Sequence, residues 1–370
     1  MTIETTTHEP AQRTGDWQAI HIFYASDPKP LLTECVAPLV AELREGNLLA
    51  GYFFINYWLE GPHVRLRLKP VSAAATDEVR RVAELRIGEF LARRPALYEV
   101  DSDFLVGFYD DMFRLEYSER ERVERYGNDG PMPLRPNNSY HYIPYEPEYG
   151  KYGGPDGVRL AEWHFEHSSD LVLDLIEKAN THLRTVTLGL AAQLMMIMST
   201  TFLRDRNSVA EFMERYHHFW HDWFQLGNSQ RDAAYESNYT EIVGDLRHRF
   251  SEIFHSITSD KPDRLTSFGR AWALHCAELR ARVSEYAEQG RLIFPARDES
   301  GEYRPGRTVT EREAVTDPEV ALRALLSPYM HMTNNRLGAN VVDESYLSYL
   351  LFRSLTDNTA AAGADETRAR

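Results

Sequence analysis

The sequence predicts an α+β fold, with a small mixed or antiparallel sheet from the N-terminal third packed with a mostly helical C-terminal half. Three observations carry this. Strand-like alternation crowds the stretch from Trp17 to Lys69, helix-period apolar patterns fill most of the chain after Gly157, and the regular strand–helix alternation of a doubly wound nucleotide-binding fold is missing.

Residues 17–25 (WQAIHIFYA) read as a strand and residues 31–45 as an amphipathic helix closing at Gly46 and Asn47. Two strands follow, residues 51–59 and 63–69, joined by the turn Glu60-Gly61-Pro62. Alternating charge marks residues 73–93 as a helix, and Asp101-Ser102-Asp103 provides a capping signal for another over 104–125. Residues 126–138, rich in Gly, Pro and Asn, predict a loop; 139–148 (SYHYIPYEPE) is aromatic and extended, and Gly153-Gly154 separates it from the helical half. Four or five helices are expected over 158–289, with breaks near Asn180, 206–208, 227–231 and 261–262. Residues 295–316 read as a polar linker or surface excursion, and 319–329 and 344–355 as two final helices. The organisation expected is one domain over 16–357, sheet-rich in 16–155 and helical in 156–357, flanked by disordered tails at 1–15 and 358–370.

With 43% hydrophobic and 12% aromatic residues in 370, the chain can bury a core of ordinary size. A net charge of −15 disfavours general binding to nucleic acid or anionic membrane, because phosphate attraction requires a basic surface. Cys35 and Cys276 lie far apart without metal-type spacing, so neither a disulfide framework nor a thiolate metal site is indicated. The polar start has no secretory h-region, and the apolar run 186–198 is too short to span a bilayer. A cytoplasmic location is expected, with no cofactor, no metal and no membrane partner.

Four stretches carry residue types that could do chemistry. In GPHVRLRLKP, period-2 alternation puts His63, Arg65 and Arg67 on one face and Val64, Leu66 and Leu68 on the other. Like charges set roughly 7 Å apart repel, so a shared anionic partner explains the pattern; a solvated edge strand protected against aggregation explains it too. YEPEYGKYGG places Glu146, Glu148 and Lys151 around a glycine turn, as a ligand loop or as a surface ion pair. HMTNNRLG carries His331, Asn335 and Arg336 just beyond a helix expected to end near Tyr329; histidine suits proton transfer near neutrality, and equally suits a hydrogen-bonded structural role. His217 and His221 share a helix face, but no HExxH form or third ligand accompanies them, which favours packing. No GxSxG motif or phosphate loop occurs.

Taken in order, WQAIHIFYA, FFINYW with GPHVRLRLKP, YEPEYGKYGG with AEWHFEHSSD, and HMTNNRLG resemble the C-terminal, glutamate-eliminating domain of class I lantibiotic dehydratases, also found as a stand-alone thiopeptide-type bacteriocin biosynthesis protein. The resemblance spans residues 17–352. It implies a lyase of ribosomal peptide natural-product biosynthesis that removes glutamate from glutamylated Ser or Thr, leaving dehydroalanine or dehydrobutyrine. By motif, the family's arginines fall on Arg65 and Arg67, its acidic residue before the Tyr-Gly-Gly turn on Glu148, and its late histidine on His331. These, with Lys151, are the implied catalytic set; His63, Glu146, Tyr152, Asn335 and Arg336 are the implied substrate-binding residues. Lys151 replaces the family's usual arginine, losing the bidentate fork, and Asn56 replaces the arginine of FFIRY. Implied partners are a ribosomally made precursor peptide and a separate glutamylating protein; a homodimer is left open. The same resemblance leaves room for the pyridine-forming aza-[4+2] reaction of thiopeptide biosynthesis and for a non-catalytic precursor-binding subunit.

Overall fold

A computed structural model describes residues 16–97, 113, 119–127, 132–223, 229–295 and 312–357. Most of the helix expected over 104–125, both expected tails and most of the linker lie outside these residues. The chain divides into two compact units, residues 1–102 with 134–146, and residues 103–133 with 147–370.

The first unit is built on an antiparallel sheet of order β2-β3-β1-β4, with β1 Gln18–Phe23, β2 Leu49–Tyr57, β3 His63–Pro70 and β4 Ser139–Tyr142. The register pairs Ile20 with Leu66 and Ile22 with Val64, and Leu66 in turn with Phe54, so the centre of one face is apolar. Tyr52 and Leu68 complete it, all these side chains being buried. Two helices cover that face. Helix α1 comprises Pro28–Leu31, a π-helical stretch Leu32–Val36, and Ala37–Glu45; α2 is Thr76–Arg93. Arg80 of α2 donates to Gln18 Oε1 (2.6 Å), which fixes the helix on the side of the even-numbered β1 residues. Asn137 and Asn138 return the chain to the sheet. Asn137 Oδ1 accepts from Ala25 N, and the Asn138 amide exchanges two hydrogen bonds with the Ala96 backbone.

In the second unit, α3 is Glu119–Tyr126, α4 Tyr149–Tyr152, α5 Gly154–Lys178, α6 Arg184–Leu203, α7 Arg206–Trp223, α8 Ser229–Thr258, α9 Ser267–Glu288, α10 Pro318–Leu337 and α11 Val341–Thr356. Of the four or five helices expected over 158–289, five are present among the described residues, α5 to α9. Helix α6 is the axis, in contact with α7, α8, α9, α10 and α11. By length and composition it could cross a membrane, yet 72% of its apolar window is buried, as a core helix requires. Its methionines 195, 196 and 198 are all in the core, and Trp272 of α9 donates to its Leu194 carbonyl. Thr266, Asp317 and Asn340 cap α9, α10 and α11, the last as a full capping box.

Two sequence expectations need correction. The helix expected to stop near Tyr329 runs through Pro328 to Leu337, so His331, Asn335 and Arg336 stand on helical turns rather than in a following segment. Pro328 removes one backbone donor, but burial of Leu325, Leu326, Tyr329, Met330 and Leu337 on either side of it outweighs that loss. The expected linker begins and ends in a two-stranded antiparallel pair, β5 Ile293–Pro295 with β6 Arg312–Ala314.

The Tyr-Gly-Gly turn is held against β5. Gly153 has φ +81°, and a Cβ there would sit 2.9 Å from Phe294 Cζ; a Cβ on Gly157 would overlap the Tyr152 carbonyl. Gly157→Ala is therefore expected to cost at least about 3 kcal/mol, while Gly189→Ala, with nothing within 4 Å of its new methyl, should stabilise α6 by about 0.5–1 kcal/mol. Denaturant unfolding of both variants checks this; a Gly157 variant as stable as the parent would contradict it.

Candidate functional site

The face of the sheet opposite the helices carries the cations. Alternation puts His63, Arg65, Arg67 and Lys69 of β3 on it, and the register brings Phe23 beside His63, His21 beside Arg65 and Ala19 beside Arg67. From β2 come Tyr57, Ile55 and Phe53, opposite His63, Arg65 and Arg67. His21, His63 and Arg67 are each about 95% buried.

Hydrogen bonding decides the charge state of the two imidazoles. His63 Nδ1 lies 2.8 Å from the Gly61 carbonyl, so it must donate; its Nε2 accepts from Arg65 Nε at 3.2 Å. His21 Nε2 lies 3.3 Å from Arg67 Nη2, which can only donate. Both rings are therefore neutral acceptors, stacked at 4.9 Å. Burial, reinforced by Arg65 and Arg67, holds His21 far below the usual histidine range; burial likewise brings His63 down to about 3 against the opposing effect of its Gly61 bond. The expected trio of cationic groups is thus a guanidinium pair positioned by two neutral histidines. His21, which the sequence reading passed over, is half of that device.

Arg65 lies over the Tyr57 ring at 3.5 Å and Arg67 over Tyr145 at 5.5 Å. Among the described residues neither guanidinium pairs with a carboxylate, and Arg67 Nε and Nη1 are buried without a hydrogen-bond partner. Burial with Arg65 nearby lowers Arg67 to about 9, which leaves it charged at neutral pH. Two such charges about 7 Å apart repel by roughly 2 kcal/mol at an effective dielectric of 20, less at the half-exposed Arg65. A carboxylate ligand would relieve this repulsion and satisfy the open donors.

The remaining predicted residues, apart from Glu146, belong to the second unit. Glu146 is exposed at the end of the first. Glu148 precedes α4, and Lys151 Nζ lies 3.4 Å from its carboxylate, a partly exposed pair of small intrinsic worth. Tyr152 is buried and stacks at 6.1 Å on Tyr329. Arg336 is fully buried, donating to the Met332 carbonyl at 2.8 Å with its guanidinium 4.5 Å from the Phe165 ring centre, and Asn335 is half-buried.

His331 is on another side of α10, toward α7 and α11. Its Nδ1 lies 2.8 Å from Glu344 Oε1, its ring is 4.9 Å from Trp220, and its side chain remains 24% exposed. Glu344 is wholly buried and its Oε2 accepts from the Tyr216 hydroxyl. Neither Glu344 nor Tyr216 was marked by the sequence; they reach His331 only through the packing of α7 and α11 on α10. A partly exposed imidazole backed by a buried carboxylate is equipped for proton transfer.

A third histidine group is internal. His164 Nδ1 lies 2.9 Å from His275 Nε2, and His164 Nε2 lies 3.4 Å from Thr333 Oγ1. Burial depresses both rings, His275 to about 3. His217 bonds the Ser345 carbonyl, a packing contact as expected. Among the described residues no cluster of three metal-ligating side chains occurs.

The lantibiotic biosynthesis dehydratase C-terminal family profile matches residues 17–355. A pyridine synthase, TbtD, from thiomuracin biosynthesis shares the fold at TM-score 0.67 and 18% identity, over 92% of this chain and 98% of its own. The crystal structure of TsrL follows at 0.60 and 18%, over 92% and 94%. The tRNA-dependent lantibiotic dehydratase MibB from Microbispora sp. 107891 aligns at 0.47 and 16%, over 96% of this chain and 29% of its own. No curated protein sequence matches the chain.

The neutral buried imidazoles set a direction for acid stability. His21, His63, His164 and His275 titrate lower folded than unfolded, so below about pH 6.5 the unfolded chain binds more protons. Their contribution is complete above that pH and is lost as pH falls toward the folded values, by up to about 1.4 kcal/mol per pH unit for each ring. Denaturant unfolding at pH 7.5 and 5 should show the loss; equal free energies would contradict the neutral assignment.

Proposed function

Because the chain belongs to the lantibiotic biosynthesis dehydratase C-terminal family, we propose that it is a peptide-modifying lyase that eliminates glutamate from glutamylated Ser or Thr of a ribosomally made precursor. The observation that carries this reading is the Arg65–Arg67 pair, buried at Arg67, lacking a carboxylate partner among the described residues, and pre-aimed by neutral His21 and His63.

β-Elimination needs a base for the peptide Cα proton and positive charge near the departing carboxylate and the developing enolate. His331 takes the proton. The Cα–H electrons form the Cα=Cβ bond, the Cβ–O bond breaks, and glutamate leaves with that electron pair. In the first unit Arg65 and Arg67 are suited to hold glutamyl carboxylates; in the second, Glu148 orients Lys151 as an auxiliary cation. A separate glutamylating protein would supply the substrate.

A second reading is pyridine formation from two dehydroalanines. It is supported by the fold shared with TbtD over nearly all of that chain, and by Lys151 at the position where the eliminating family usually has arginine. A precursor-binding subunit without chemistry is the third. Incubating the protein with a glutamylated precursor peptide should release free glutamate and lower the peptide mass by one glutamic acid. His331→Ala and Arg67→Ala should each slow this by roughly 10²-fold or more. Macrocycle formation from a dehydroalanine peptide, with no glutamate release, would select the second reading; no product from either substrate would leave the third.

A further inference from the structure

We infer that Glu344 and Tyr216 are positioning residues that hold His331 in the tautomer with its proton on Nδ1, leaving Nε2 as the basic nitrogen. This deepens the reading above and rests on His331 being the base.

The three groups come from three helices. Tyr216 is on α7, His331 on α10 and Glu344 in the first turn of α11. Glu344 has no solvent exposure, and its two oxygens are divided: the Tyr216 hydroxyl donates to Oε2, and His331 Nδ1 lies 2.8 Å from Oε1. Burial and the adjacent carboxylate hold the Tyr216 phenol well above its usual range, so it remains a donor. A carboxylate accepts at both oxygens, which requires the proton on His331 Nδ1. Trp220 packs 4.9 Å from the imidazole and limits its rotation, and no other carboxylate bonds to the ring among the described residues. The backbone supports the same placement. Asn340 and Asp343 close the capping box of α11, and Glu344 N bonds the Asn340 carbonyl at 2.9 Å, fixing where the carboxylate starts.

When His331 takes the Cα proton, the ring becomes an imidazolium next to a buried carboxylate that needs no reorganisation to stabilise it. With that carboxylate made neutral, the ring can turn or adopt the other tautomer, and the nitrogen facing substrate no longer carries a lone pair. A positioning role of this kind lowers kcat and leaves KM in place, because it acts on the proton transfer and not on the contacts that bind substrate.

The test uses the full chain and a glutamylated precursor peptide, with kcat and KM measured for the parent, His331→Ala, Glu344→Gln, Glu344→Asp and Tyr216→Phe, alongside ¹⁵N-histidine spectra of the parent without peptide. Glu344→Gln should lose roughly 10²-fold in kcat with KM unchanged, Glu344→Asp should recover about tenfold of that, and Tyr216→Phe should lose less than Glu344→Gln. The parent spectrum should show His331 protonated on Nδ1. Full activity in Glu344→Gln beside an inactive His331→Ala would overturn the positioning role and leave the base assignment standing; full activity in His331→Ala would overturn both. Should the Glu344 variants fail to fold, the parent spectrum still decides, since a dominant Nε2-protonated ring contradicts the inference.

Discussion

The structure depends most on the period of one strand. From His63 to Lys69, β3 sends Val64, Leu66 and Leu68 into a closed apolar layer and His63, Arg65, Arg67 and Lys69 to the opposite face. Because the side-chain period is two, neither set can move without the other: a one-residue slip would drive guanidiniums into the helices α1 and α2. The apolar face therefore guarantees the position of the cationic one. Hydrophobic burial of about 1.5–3 kcal/mol for each large side chain supplies enough to hold two like charges side by side at a cost of roughly 2 kcal/mol.

The histidines convert that arrangement from a charge cluster into a directed site. Protonated, His21 and His63 would add to the repulsion; neutral, each offers a lone pair to one guanidinium and leaves the other N–H groups pointing elsewhere. In the second unit the relation is reversed. There a carboxylate backs a histidine, His331 Nδ1 lying against Glu344, whereas the rings of His21 and His63 accept from arginine. Similar rings serve opposite ends because one kind faces arginine and the other glutamate.

The sheet and its cationic face were legible because both follow from strand alternation, which is local. The role of His21 was only half visible: the same alternation assigns it to the cationic face, but its meeting with Arg65 and Arg67 comes from strand pairing across the helix α1. Glu344 and Tyr216 left no sequence signal, being ordinary residues on helices whose packing alone brings them to His331. Helix α10 runs on to Leu337 past its expected end at 329, with Pro328 inside it, because burial on both sides of the proline overrides its usual helix-breaking tendency. The β5–β6 pair escaped notice because three-residue strands are too short to show a period. Residues 134–146 belong to the first unit, joined to it by β4, which lies in the aromatic run 139–148 that the sequence marks as extended, and by the two asparagines, which it does not mark.

The central claim is that Arg67 is kept buried for an anionic ligand and not for the fold. Thermal unfolding of the parent and of Arg67→Met, each with and without free glutamate or a glutamylated peptide, addresses it directly. A buried charge replaced by an apolar side chain of similar length should melt at the same or a higher temperature, and only the parent's midpoint should rise with ligand. A lower midpoint for Arg67→Met, or the same ligand-induced rise in both proteins, would contradict the account.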